Sequence, residues 1–380
     1  MIIKSRYNFK EAKLGPDFAK EKMAEFRKLI DSGISFTVLS MPGVGVSYFL
    51  KFLVTKSFAN FIYIDLYALP SLTQHEFYKL IYSQLSGKTE EKSDEILFAS
   101  IRKVLIQKIN ESKPDEKIVL VFSRFDQLKK EFNNDLFSNL QSLTTITPGK
   151  IVLIFTSIKP LYEIAPEAVK GGNLPFYSKV YYFKPFLKKE LIELFTLDHT
   201  LKAHPELEKL AEISGGHNQL LHIFINSHKQ NSLLLDKFVT LQLKDLINYL
   251  DYQQKKQVQK ITLGKRVEDI DEYLLETGYV LQTKTGPKLF SPILEEYIKT
   301  NLPVKLPVKE KALFNLLRKN TGKVVSKDEI FNSVWGENNE DATDWALDAL
   351  IYRLRKHPFI KAHGYLIESQ KKVGYTLIQV

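Results

Sequence analysis

The sequence predicts an α/β domain built on a parallel sheet, then a helical segment, then two small α+β units in which helices lead into a two-stranded ribbon. Three observations predict this. From residue 34 to about 186, short β-rich apolar runs alternate with longer stretches whose apolar residues recur every three or four positions, the rhythm of βαβ units. Over residues 187–232 the periodicity is helical only. Near 279–290 and 365–379, paired β-prone runs flank turn residues or a basic tip.

In chain order, the expected strands are Ile34–Ser40, Phe61–Leu66, Lys117–Phe122, Lys150–Ser157 and Lys179–Phe186. Glu76–Leu85 and Asp94–Asn110 are expected helices between them. Residues 187–232 are expected to form a helical lid, with Lys189–Phe195 and Leu207–Ile213 as helices and Ser214-Gly215-Gly216-His217 as a turn. Two helical patterns follow from about 233, then a helical stretch Val267–Glu276 ending at Gly278. A hairpin, Tyr279–Gln282 and Lys288–Phe290 about Lys284-Thr285-Gly286-Pro287, precedes a helix opening at Ser291-Pro292. Helices followed by a two-stranded wing suggest a first winged helix. The duplicated Leu-Pro-Val-Lys at 302–305 and 306–309 is expected to be extended, as a linker or short strand pair.

The chain has 380 residues, enough for two to four domains at roughly 100–200 residues each. Lys plus Arg number 54 against 44 acidic residues, a formal charge of +10 that favours polyanionic partners. The same charge also fits an ordinary basic protein. Cysteine is absent, which excludes disulfides, thiolate metal sites and cysteine nucleophiles. The first residues lack a continuous apolar h-region, and no apolar run reaches the roughly 18–20 residues of a membrane span, so a cytoplasmic, nucleoid-associated protein without membrane contact is expected.

The C-terminal segment carries the most specific pattern. Leu313, Leu316 and Leu317 mark one face of a helix over Glu310–Asn320, which Gly322 stops. Ser326-Lys327-Asp328-Glu329 is a capping box opening a second helix that runs to Trp335-Gly336. A third, Thr343–Lys356, buries Leu347, Ile351 and Leu354 and turns Trp345, Ala349, Tyr352 and Lys356 outward, with Arg353 and Arg355 beside them. Such a face suits a DNA groove: cations neutralise phosphates, Arg can pair with guanine, and aromatic or Ala side chains pack on thymine methyls or sugar. Two β runs around Lys371 and Lys372 make a basic wing tip. The order Leu-x-x-x-Glu, Val-Val-Ser-Lys-Asp-Glu-Ile, Val-Trp-Gly, Asp-x-x-Ile-x-Arg-Leu-Arg-Lys and Val-Gly-Tyr resembles the winged-helix effector domain of OmpR/PhoB-type response regulators over Leu306–Val380. By that resemblance the third helix enters the major groove, implicating Trp345, Ala349, Tyr352, Arg353 and Arg355, and Lys371 stands near the family's wing arginine. Trp345 stands where the family commonly has a cation, and Lys372 replaces a wing Gly. A winged helix used only for protein contacts is the competing reading.

After the first strand comes Ser40-Met41-Pro42-Gly43-Val44-Gly45-Val46-Ser47, at the position of a phosphate-binding P-loop, Gly-x-x-x-x-Gly-Lys-Ser/Thr. Gly45 and Ser47 match; Ser40 replaces the first Gly and Val46 the Lys. The strand Lys117–Phe122 ends in Ser123-Arg124 where an acidic Mg²⁺-supporting residue belongs, with Asp126 three residues late. Without both charges phosphoryl transfer lacks its electrostatic clamp, so no catalytic residue is assigned and hydrolysis by this chain alone is not expected. Two readings of Gly43, Gly45, Val46 and Ser47 remain: ATP or ADP bound without turnover, or a tight strand-to-helix turn. With Tyr63-Ile64-Asp65-Leu66, Ile151–Ser157, Lys184-Pro185-Phe186, Ser214-Gly215-Gly216-His217 and Phe290-Ser291-Pro292, the order of features resembles AAA+/STAND-type P-loop ATPases of origin-recognition-like form, over residues 15–300. That resemblance implies a domain that oligomerises, as a homo-oligomer or with other subunits.

The expected architecture is therefore an α/β P-loop core with a parallel sheet (1–186), a helical lid (187–232), and two winged-helix (α+β) domains (233–301 and 302–380). Eight histidines show no metal-ligand spacing, and His217 is expected to pack in the lid. Asp65 is read as a loop cap or a catalytic acid. Lys255, Lys256, Lys260, Lys265 and Arg266 form either a second phosphate-contacting surface or a solvated helix face. The expected function is binding of double-stranded DNA, with an ATP-dependent switch completed by a partner and a protein-binding adaptor as the rivals.

Overall fold

The computed structural model describes residues 7–169, 171–197, 204–227, 230–301, 307–336, 343–357, 360, 365–370 and 373–379. The chain divides into two compact units, one of residues 1–255 with 268–292 and the other of 256–267 with 293–380. The division runs through the 233–301 segment.

In the first unit, β1 (Phe36–Ser40), β2 (Asn60–Asp65), β3 (Ile118–Ser123), β4 (Ile151–Ser157) and β5 (Val180–Phe183) form one parallel sheet in the order β2-β3-β4-β1-β5. All five expected strands are present, with ends shifted by a few residues. β1, β3 and β4 are buried at every position, as a sheet covered on both faces requires. The helices are α1 (Lys20–Asp31), α2 (Val46–Leu53), α3 (Gln74–Ser86), α4 (Asp94–Glu111) and α5 (Asn134–Thr144). Side-chain caps set their starts: Thr73 accepts from the Glu76 amide at 3.3 Å, and Asn133 from the Leu136 amide at 2.8 Å. One side of the sheet packs with α3, α4 and α5 in a core that includes Ile64, Phe77, Ile81, Ile101, Leu105, Phe122, Phe137 and Phe155.

Three short helical turns follow, α6 (Leu161–Ile164), α7 (Pro166–Val169) and α8 (Leu174–Tyr177). The lid segment holds α9 (Lys188–Thr196), α10 (Leu207–Ile213) and α11 (Asn218–Asn226). Then come α12 (Lys237–Asn248) and α13 (Tyr252–Thr262). The helix expected over Val267–Glu276 is confined to α14 (Glu272–Glu276), because the Asp271 carboxylate caps it by accepting from the Leu274 amide. The hairpin pairs β6 (Val280–Thr283) with β7 (Gly286–Leu289), so its turn is Lys284-Thr285 alone, shorter than expected. α15 (Pro292–Asn301) begins with the expected proline, whose missing amide is one the first helical turn does not need.

In the second unit, α16 (Val308–Lys319), β8 (Val324–Ser326), α17 (Lys327–Trp335), α18 (Asp344–Lys356), β9 (Tyr365–Gln370) and β10 (Gly374–Gln379) succeed one another. The sheet is antiparallel, in the order β8-β10-β9. Leu313, Leu317, Ile330, Leu347, Ile351, Leu354, Ile367 and Leu377 form its core. Three helices packed on a three-stranded sheet whose last two strands form a hairpin make a winged helix. The second Leu-Pro-Val-Lys is not extended throughout: Pro307 caps α16 and Val308 opens it. Residues 302–306, the rest of that expectation, lie outside the described residues.

Candidate functional site

α18 starts where Thr343 accepts a hydrogen bond from the Ala346 amide at 3.2 Å. Its apolar residues, Leu347, Leu350, Ile351 and Leu354, are buried in the winged-helix core. That fixes the rotation of the helix and turns Trp345 (81% exposed) and Tyr352 (63%) outward, with Ala349 half-buried between them. The Lys356 ammonium lies 5.7 Å from the centre of the Tyr352 ring. Trp345, Ala349 and Tyr352 line a shallow hollow of 490 Å³ with Asp348, Arg355 and Tyr375.

The two arginines are not free cations. Arg353 Nε donates to Glu310 Oε1 at 2.8 Å, and the Glu310 side chain is only 7% exposed. Arg355 Nε donates to the Ile367 carbonyl at 2.9 Å and its Nη2 to Ser369 Oγ at 2.7 Å, tying α18 to β9. Two acids share the face. Asp344 pairs with Lys327 at 2.8 Å, and Asp348 accepts from the Tyr375 hydroxyl at 2.6 Å. Burial and that carboxylate push the Tyr375 hydroxyl up to about 12. The result is an aromatic, largely charge-compensated surface on which Lys356 is an exposed cation. Lys371 and Lys372, expected at the wing tip, lie outside the described residues.

In the first unit the P-loop-like turn follows β1 and leads into α2. Gly43 and Gly45 adopt φ of 73° and 114°, a region that L side chains enter with strain. Val46 is buried and Ser47 half-buried. At the end of β3, Arg124 holds φ 63° while its amide donates to Thr156 Oγ1 at 2.6 Å. Its Nε donates to Asp65 Oδ1 at 3.0 Å and its Nη2 to Asp65 Oδ2 at 2.6 Å, a bidentate clamp. Asp65 also accepts from the Tyr67 amide at 3.2 Å, so it caps its loop and anchors Arg124. Asp126 accepts from the Ile158 amide at 3.1 Å, and burial raises its carboxyl above the usual range.

Arg124, Asp126, Thr156, Ile158 and the loop line a hollow of 780 Å³. The donor set does not fit a magnesium-nucleotide: an apolar Val46 stands in place of the lysine, and the nearby carboxylates are occupied by Arg124 and by a backbone amide. Among the described residues no group of three or more His, Asp or Glu is arranged to hold a metal.

The residues that open α11 pack directly on the loop. His217 is fully buried; its Nε2–H donates to the Pro42 carbonyl at 2.8 Å and its Nδ1 accepts from the Leu220 amide at 3.2 Å. Burial lowers its pKa to about 4, so the ring is neutral at pH 7. The Gln219 amide donates to the Gly43 carbonyl at 3.0 Å. A Cβ at Gly43 would collide with the Gln219 side chain, and one at Gly45 would lie 2.6 Å from the Phe186 ring. Close approach of Gln219 and Phe186 therefore demands both glycines, in addition to their positive φ. Sequence reasoning missed this role for Gln219 and Phe186, although each belongs to or neighbours a motif it singled out.

Residues 301–377 match the family model described as transcriptional regulatory protein, C terminal. No curated protein matches the chain. Similar solved structures include a Walker-type ATPase of Pyrococcus abyssi, at 13% identity over 74% of this chain and 95% of that one, TM-score 0.44. The Thermotoga maritima RuvB Holliday junction branch migration motor gives 13% identity, 76% and 96% coverage, and TM-score 0.33. Drosophila ORC bound to DNA gives 15%, 95% and 83%, and 0.36. No helix among the described residues is long and apolar enough to cross a membrane. Spaced motifs, observed topology and family match agree on one segment: the C-terminal part of this chain is a winged helix of the transcriptional-regulator C-terminal family.

Proposed function

We propose that this chain binds double-stranded DNA through its C-terminal winged helix, as a regulator or as a subunit of a DNA-transacting assembly. The observation that carries the reading is the outward face of α18, where Trp345, Ala349, Tyr352 and Lys356 stand in line on a helix whose opposite side is held in the core. Arg353 and Arg355 serve this face as braces, and Lys371 and Lys372 contact phosphate. The division into a P-loop core (1–186), lid (187–232), first winged helix (233–301) and second winged helix (302–380) belongs to the same proposal. In it the core is an oligomerisation or partner-docking scaffold that does not hydrolyse ATP.

Binding of the full chain to enriched and to random duplexes, titrated with salt, tests the reading. Trp345→Ala with Tyr352→Ala is expected to lower affinity for enriched sites by about tenfold or more, the range of a lost base contact. Unchanged affinity in that variant sinks the reading and favours a protein-binding adaptor.

The hollow of 780 Å³ over the loop favours one second reading, an ATP-dependent switch completed by a partner. Steady-state ATP turnover, with and without DNA, separates the two. The scaffold reading expects none in either case, and the switch reading expects turnover once the partner is added.

A further inference from the structure

The α18 face supplies little positive charge for a phosphate backbone. Arg353 and Arg355 are engaged within the fold, and Asp344 and Asp348 lie on the same helix. Affinity for a polyanion grows with the number of cations that displace its counterions, so a weakly charged reading helix calls for cations elsewhere.

The same compact unit holds such a group. On α13, Lys256 and Lys260 are one helical turn apart and both exposed. Helix α13 ends in a reversal: the Gly264 amide donates to the Ile261 carbonyl at 2.9 Å, and the Lys265 amide to the Lys260 carbonyl at 2.9 Å. Gly264 takes φ 68°, as this type of helix end requires. The reversal brings the backbone of exposed Lys265 against Lys260, with exposed Arg266 next in the chain. None of the four is in an ion pair among the described residues. Like charges at i and i+4 repel on an isolated helix, and no acid on α13 offsets them as Glu295 offsets Lys299 on α15. A cluster of four cations without ion-pair partners among the described residues is suited to phosphates.

We propose that Lys256, Lys260, Lys265 and Arg266 form a second, sequence-independent contact with the DNA backbone, separate from the base-reading face of α18. The inference rests on the DNA-binding reading above. It divides labour within the unit: α18 selects the site, and the α13 reversal supplies the counterion-dependent affinity.

The test uses the full chain and the salt dependence of binding to a random duplex. With all four residues changed to Gln, the slope of log affinity against log salt is expected to fall by about 3.6, since each neutralised phosphate contributes about 0.9 to it. Base preference in site enrichment is expected to stay the same. The pairs Lys256→Gln with Lys260→Gln, and Lys265→Gln with Arg266→Gln, are each expected to account for about half of that fall; being exposed, they leave the fold intact. A slope within about 0.5 of wild type in the fourfold variant, less than one phosphate's worth, overturns the inference. So does a fourfold variant that binds duplex normally but loses binding to anionic lipid vesicles. If the wild-type chain binds no duplex at any salt concentration, the DNA-binding reading itself has failed, and this inference with it.

Discussion

Arg353 and Glu310 show how a residue with a functional look can be held by structural chemistry. Removing the guanidinium leaves a carboxylate that is nearly inaccessible to water without its partner. Arg353→Ala is expected to destabilise the winged helix by about 1–3 kcal/mol, and Glu310→Gln in the same chain is expected to recover part of that loss. Urea unfolding of the two single variants and the double variant measures the coupling; simple additivity would contradict it. His217 makes the complementary case. Its folded pKa of about 4 lies below the ordinary value of 6.5, so the unfolded chain binds the extra proton. The stability is complete above pH 6.5 and is lost as pH falls toward 4, by about 2 kcal/mol at pH 5. His217→Asn keeps a helix-capping side chain without a titrating ring. Its unfolding midpoint is expected to vary less with pH between about 7 and 5 than that of the wild type, and an identical pH profile would refute the assignment.

At the scale of elements, β8 is the part of the winged helix that no periodicity announced. Three residues are too few to show alternation, and Val324–Ser326 become a strand only because β10 pairs with them. Gly374, in the Val-Gly-Tyr motif, is the point of contact: a Cβ there would run into the Val325 carbonyl. Gly374→Ala is expected to cost about 1–3 kcal/mol by overpacking, and to loosen the β8–β10 pairing first. Hydrogen exchange at the amides of β8 and β10 reports this, and protection equal to wild type would rule it out. The loop before α2 follows the same logic. Its two glycines were legible as a turn or a phosphate cradle; what the sequence could not show was the packing of His217, Gln219 and Phe186 against the loop. Those contacts join residues far apart in the chain, beyond any local pattern.

For the molecule as a whole, two cores follow from two compact units: one around Phe77, Phe122, Phe137 and Phe155, the other around Leu313, Leu317, Ile351 and Leu354. Scanning calorimetry of the full chain is expected to resolve two unfolding transitions, the smaller one shifted by Gly374→Ala and the larger unaffected. A single transition with equal calorimetric and van't Hoff enthalpies would contradict this.

By itself, the order of amino acids determined the parallel α/β core, its five strands, and the three helices and terminal hairpin of the C-terminal domain, because burial imprints periods of two and of three to four residues on the chain. It also determined that α18 turns Trp345 and Tyr352 away from Leu347, Ile351 and Leu354. Only the tertiary structure decided what the charges do. Arg353, Arg355 and Arg124 look alike in sequence to Lys256 and Lys260, yet the first three are clamped by Glu310, by β9 and by Asp65, while the lysines remain exposed. The physical reason is range: whether a cation is neutralised depends on which distant carboxylate or carbonyl folding brings within about 3 Å, as hydrogen bonding requires.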